Sequence, residues 1–226
     1  MNFDDKLWME KWSTRLIYNP IQEHHDLSGF ASSQEPRCSL WCASLSEAFG
    51  SIFQEDMIVC DYGCGCGRYA NFLSKTLANF SYYGLEPKGS PHITRAKRDL
   101  GHDSRLHFGY LGTQLEKKAI ELSDVVLMGS VFTHLPFDDF KSTIDKITKP
   151  VVFSCYIGTQ YTEKLLKNGT MPKEKEWSPK YNKMVFYTMS AIQEHMGSQR
   201  WVRMIQYFPE KNSCHKIFMS RPSTMI

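Results

Sequence analysis

No stretch of about 18 consecutive apolar residues occurs in this chain of 226 residues, so nothing in it argues for a membrane-spanning helix. Charge of one sign is also lacking: 27 Lys and Arg stand against 24 Asp and Glu, a net charge of +3, and no basic run marks a nucleic-acid groove. The opening residues MNFDDKLWMEKW carry acids and have no apolar centre of the kind a secretory signal needs. The seven cysteines, at 38, 42, 60, 64, 66, 155 and 214, form neither an even framework nor the C-x-x-C pairs of a zinc site. Reduced thiols, no metal and a cytoplasmic protein are the corresponding expectations. What is present is ordinary for a globular domain, with 42% hydrophobic and 23% charged residues. The length suits a single domain over 1–226 with a sizeable core.

One stretch stands out, DMIVCDYGCGCGRYANFLSKTL over 56–77. An apolar run from Met57 to Cys60 reaches Asp61, passes glycines at 63, 65 and 67, and continues with Tyr69, Phe72, Leu73 and Leu77 at helical spacing. That pattern predicts a strand, a tight turn and a helix. Glycines at alternate positions permit positive φ and let a ligand come close to the backbone. The dinucleotide fingerprint G-x-G-x-x-G does not fit, because Arg68 stands where its third glycine belongs.

Asp61-Tyr62-Gly63-Cys64-Gly65-Cys66-Gly67 resembles instead the D/E-x-G-x-G-x-G signature of the class I S-adenosylmethionine-dependent methyltransferases. The resemblance spans about residues 40–220, although its specific motifs occupy a small part of that length. It implies an α/β fold, a three-layer αβα sandwich whose seven-stranded, mostly parallel sheet has an antiparallel C-terminal strand. It implies S-adenosyl-L-methionine as cofactor and S-adenosyl-L-homocysteine as product. Asp61, Gly63, Cys64, Gly65 and Gly67 would lie against the methionine part of the donor.

The rest of the chain carries an alternation of strands and helices. Phe80 to Glu86 reads as the second strand, stopped by Pro87, and an acid at the carboxyl end of such a strand can accept bonds from both ribose hydroxyls. Glu86 is therefore the expected ribose ligand, with Pro87 beside it. Ser90-Pro91 opens a helix that Gly101 closes. Arg105 to Tyr110 gives a third strand, and Thr113-Gln114-Leu115-Glu116 reads as a capping box. Relatives often place an acid after this strand to hold adenine; here Leu111, Gly112 and Thr113 stand there, leaving backbone amides such as that of Gly112.

Asp124 to Gly129 is a buried fourth strand by composition, followed by Ser130-Val131-Phe132-Thr133-His134-Leu135-Pro136. The resemblance places this segment under the donor and facing the acceptor, which makes Ser130 and Val131 cofactor residues and Phe132 an acceptor contact. His134 is the candidate base, needed only if the acceptor must lose a proton. Val151 to Ile157, including Tyr156 as a further acceptor candidate, is the fifth strand.

The ends differ in rhythm from this core. Residues 1–18 read as an amphipathic helix and 19–37 as a loop. The resemblance implies that such a leading helix closes over the donor, with Trp8, Trp12 and Tyr18 as lid candidates, and Tyr18, His24 and His25 are the candidate acceptor contacts of this region. Tryptophans such as Trp8 and Trp12 more often plug a core than touch a ligand, and exposed loop histidines are more often inert. Residues 159–186 read as an insertion beside the pocket mouth, beginning with a short helix that ends at Asn168-Gly169. Its mixed Lys and Glu are more often solvated surface than a phosphate platform. A helix over 188–196 and two antiparallel strands, 201–208 and 214–219, close the chain.

Methyl transfer to an oxygen or nitrogen of a small polar metabolite, for instance a sugar or a phosphorylated compound, is the expected activity. An RNA or protein methyltransferase and a non-catalytic donor-binding regulator are the alternatives. A nicotinamide-dependent dehydrogenase is a more distant one.

Overall fold

The computed structural model describes residues 53–129, 131–132, 135, 137–157, 162–166, 182–196, 200–206 and 215–222. They fall into two compact units, one ending at Leu127 and the other starting at Met128.

In the first unit β1 (Met57–Tyr62), β2 (Phe80–Glu86), β3 (Leu106–Tyr110) and β4 (Val125–Met128) alternate with α1 (Arg68–Thr76), α2 (Pro91–Leu100) and α3 (Gln114–Leu122). The strands lie in the order β3-β2-β1-β4, every neighbouring pair parallel. Helical crossovers cover the faces of such a sheet, so its strands can be apolar on both sides. Val59, Cys60, Val126 and Leu127 accordingly have no exposure. Register places Asp61 opposite Gly84 on one side and Leu127 on the other.

Helix ends follow their local chemistry, with one exception. Ser90 caps α2 by accepting from the His92 N–H at 3.3 Å, ahead of Pro91 in the first turn. Thr113 precedes α3 without capping it; its hydroxyl donates back to the Tyr110 carbonyl at 2.6 Å. Glu116, expected to close the capping box on Thr113, takes the Gly112 N–H at 2.6 Å and the Tyr62 hydroxyl at 3.1 Å. A tertiary partner on β1 competes successfully with the local motif.

The second unit holds α4 (Phe137–Ile144), β5 (Val151–Ile157), β6 (Thr162–Leu166), β7 (Asn182–Tyr187), α5 (Met189–Met196), β8 (Arg200–Gln206) and β9 (His215–Pro222). β5 runs parallel to β7 and antiparallel to β9; β6 is antiparallel to β7, and β8 to β9. Phe132, Phe140, Phe153, Tyr187 and Phe218 are fully buried, and Phe153 stacks on Phe218 with centroids 5.1 Å apart. The Tyr187 hydroxyl donates to the Leu135 carbonyl. Arg200 is buried and spends its guanidinium on the carbonyls of Ile147 and Lys149 and on the Ser220 hydroxyl, at 2.5, 2.5 and 2.7 Å.

The α/β architecture, mostly parallel with antiparallel C-terminal strands, is the expected one. The count of seven strands is not: six strands, β1 to β5 and β7, have parallel partners, and β6, β8 and β9 have only antiparallel ones. The excess arises in 159–186, where the expected short helix is replaced by strand β6. Its partner β7 lies about 20 residues away, and pairing at that distance overrides local propensity. Among the described residues, no helix is long and apolar enough to cross a membrane.

Candidate cofactor site

The site is built at the carboxyl ends of β1 and β2, inside the first unit. After Tyr62 the chain turns through Gly63 at φ 84°, Gly65 at φ 57° and Gly67 at φ 84°, all in the left-handed region that a side chain disfavours. The turn is held by the Gly63 and Cys64 N–H groups, which both donate to the Leu85 carbonyl at 2.8 and 3.1 Å. Gly67 then opens α1 with no side-chain cap. A Cβ there would sit 2.7 Å from Leu100 Cδ1, the movable end of a side chain, so the demand for glycine at the helix start comes mainly from φ.

Two carboxylates meet this turn. Glu86 is buried; its Oε1 accepts from the Gly65 N–H at 2.6 Å and its Oε2 from the Ser90 hydroxyl at 2.9 Å. Burial raises it to about 7 against the lowering effect of those two donors. Asp61 has no exposure, and its Oδ2 accepts from the Tyr82 hydroxyl at 2.5 Å. Burial raises Asp61 to about 7 as well, opposed by the Tyr82 bond and the field of Arg68 and assisted by the charge of Glu86. Its second oxygen, Oδ1, is buried with no hydrogen-bond donor, one of two such side-chain atoms among the described residues. A buried acceptor left unmet costs about 1–3 kcal/mol, so a donor brought by a ligand would be strongly held.

The other expected site residues divide clearly. Pro87 is buried in the turn after β2, where its carbonyl accepts from the Ser90 N–H at 3.0 Å. Cys64 is buried, and burial holds its thiol protonated. Gly112 is exposed at φ 75°; its N–H, a candidate adenine donor, is already engaged by Glu116, as that of Leu111 is by the Glu86 carbonyl at 2.8 Å. Val131 is buried in the second unit. Phe132 has no exposure, and its ring lies edge-on to that of Phe140 with centroids 4.3 Å apart. Tyr156 is half-buried near the end of β5. Tyr18, His24, His25, Ser130 and His134 lie outside the described residues.

Two groups that the motif does not announce belong to the site. Tyr82 is signalled only by its place four residues before Glu86 on the same strand, and Ser90 only as a helix cap. Cys66 pairs with His92, its sulfur 3.4 Å from Nδ1, and burial pushes this thiol up to about 12. Among the described residues, no three His, Cys, Asp or Glu side chains gather as a metal site would require.

No family model matches the chain, and no curated protein matches it in sequence. Solved structures do. The chain is similar to the PH0226 protein from Pyrococcus horikoshii OT3, with a TM-score of 0.60, 12% identity, and 91% of this chain and 98% of that one covered. It is similar to an S-adenosylmethionine-dependent methyltransferase from Clostridium acetobutylicum, with a TM-score of 0.55, 10% identity, and 81% and 91% covered. It is also similar to the magnesium protoporphyrin IX methyltransferase from Synechocystis PCC 6803 with bound S-adenosylhomocysteine, with a TM-score of 0.55, 16% identity, and 96% and 95% covered. The chain therefore has the Rossmann-like fold of the class I S-adenosylmethionine-dependent methyltransferases.

Proposed function

We propose that the chain is an S-adenosylmethionine-dependent methyltransferase acting on an oxygen or nitrogen of a small polar metabolite. The observation that carries the reading is the unmet Asp61 Oδ1, buried next to a turn of three left-handed glycines and near a second buried carboxylate. S-adenosylmethionine brings what these groups lack. Its ammonium suits Asp61, and its ribose hydroxyls suit Glu86, each of whose oxygens accepts one bond and has capacity for another. A cation and two hydroxyl donors also favour the ionised forms of two carboxyls that burial holds near 7.

When bound, the donor supplies a methyl group on a positively charged sulfur. The protein's task is then to hold the acceptor in line, where orientation is worth about 7–11 kcal/mol in favourable models. His134, one residue before Leu135-Pro136, is the proposed base for an acceptor that must lose a proton. A small polar acceptor is supported by the absence of basic runs and by a net charge of only +3.

Calorimetric titration with S-adenosylhomocysteine tests the cofactor; labelled donor offered to sugars, phosphorylated metabolites, proteins and RNA tests the acceptor. Saturable binding with methyl release to a small metabolite is expected. Methylation of RNA or protein alone would overturn the acceptor, and binding without transfer to any acceptor would leave a donor-binding protein.

A further inference from the structure

Alternate residues of a strand share a face, so Tyr82, Gly84 and Glu86 of β2 point the same way. Tyr82 stands opposite Val59, whereas Asp61 stands opposite Gly84. The tyrosine can therefore meet Asp61 only by laying its ring along the strand, across Gly84. It does so: the ring has no exposure, lies edge-on to Phe108 with centroids 5.9 Å apart, and sends its hydroxyl to Asp61 Oδ2 at 2.5 Å. A Cβ at Gly84 would stand 2.9 Å from Tyr82 Cε1 and 2.7 Å from Phe108 Cδ1, so only glycine leaves the passage open. The bond occupies one oxygen of Asp61 and leaves Oδ1 as the unmet one.

We propose that Tyr82, seated over Gly84, is a positioning residue for donor binding: it clamps one oxygen of Asp61 so that the other is kept for the cationic end of the donor. The inference rests on the methyltransferase reading. The phenol is suited to the task because burial and the neighbouring Asp61 charge hold it protonated. It is thus a neutral donor that steadies a carboxylate without cancelling its charge. The other charged or titratable groups acting on Asp61 are Glu86 from β2 and Arg68 from α1, together with the buried thiols of Cys60 and Cys64.

The test compares the full chain with its Tyr82→Phe variant, using S-adenosylhomocysteine as probe between pH 6 and 8 and following the Asp61 carboxyl carbon by NMR. Expected for Tyr82→Phe are about tenfold weaker binding at neutral pH, the loss of one charge-assisted hydrogen bond, and an Asp61 titration midpoint moved upward. The rise of affinity with pH should move upward with it. A variant that loses thermal stability but keeps wild-type affinity and midpoint overturns the proposal, since a purely structural tyrosine would behave so. Failure of the unaltered chain to bind the probe sinks the cofactor reading itself, and the Asp61 midpoint then still decides whether the clamp exists. Should Tyr82→Phe not fold, 3-fluorotyrosine placed at position 82 keeps ring and donor; its fluorine signal should follow the Asp61 titration and respond to the probe. A signal indifferent to both overturns the clamp.

Discussion

The two ends of the parallel sheet in the first unit treat their carboxylates in opposite ways. At the amino ends of β2 and β3, Asp103 is gripped by Arg105 through bonds of 2.7 to 3.2 Å, which hold it down at about 2. The same guanidinium takes the carbonyls of Leu77, Ala78 and Ser74 and lies over the Phe80 ring, 4.6 Å from its centroid. At the carboxyl ends, Asp61 and Glu86 are more deeply buried, form no ion pair with any described residue and stand near 7. One end is electrostatically complete. The other is left short of donors, and a protein tolerates that deficit where a ligand makes it good.

The largest effect that could break this contrast comes from Glu86→Gln. If the carboxyl end serves binding, the loss of a charged acceptor for two hydroxyls should weaken S-adenosylhomocysteine by roughly 30-fold or more, with a melting temperature equal to or above that of the unaltered chain. Unchanged affinity by calorimetry would equate the two ends.

Gly67→Ala probes the glycine turn at the carboxyl end. At φ 84°, with Leu100 Cδ1 2.7 Å from the new Cβ, it should cost about 2 kcal/mol in denaturant unfolding.

A pH series sharpens the contrast further. Asp61 and Glu86 rise from ordinary values of 3.8 and 4.5 to about 7 on folding, so between about 4 and 7 the folded chain binds more protons than the unfolded one. The stability they contribute is complete below their unfolded values and is lost as pH rises through 7. Asp103 does the reverse: its contribution is present above 3.8 and disappears as pH falls through about 2. Affinity for S-adenosylhomocysteine should climb by about tenfold for each carboxylate that must ionise between pH 6 and 8. A flat affinity profile over that range would mean that the shortage of donors at the carboxyl end has no part in binding.

The smallest effect is expected of Arg105→Leu: about 1 kcal/mol of stability, reduced by partial exposure, and no change in affinity for the same probe.

Much of this contrast is legible in the sequence. Asp61, the three glycines and Glu86 are local in the chain, and their meaning depends on a strand, a turn and a helix whose apolar periodicity is plain. The Tyr82 bond is not legible, because it depends on the β1-to-β2 register and on the gap at Gly84, neither of which periodicity encodes. Strand β6 escapes for a similar reason, since residues 162–166 take their conformation from a partner beginning at Asn182. The failed capping box at Thr113 shows the limit of a short motif when Tyr62 offers its Glu116 a better use. Phe132 reads as an acceptor contact from its motif, whereas its ring contacts with Phe140 on the next helix and Phe153 on β5 depend on packing that no motif encodes.

Strand β9 is hydrogen-bonded to β5 through Val151 to Tyr156 and to β8 along Arg200 to Gln206, and its Ser220 receives the buried Arg200 side chain. During synthesis, β5 and β8 must therefore wait without this partner until residues 215–222 have cleared the ribosome, whereas β1 to β3 can pair long before. A nascent chain stalled ahead of His215 should expose the second unit to proteolysis while the glycine turn is already assembled, so that the half bearing Asp61 and Glu86 matures first.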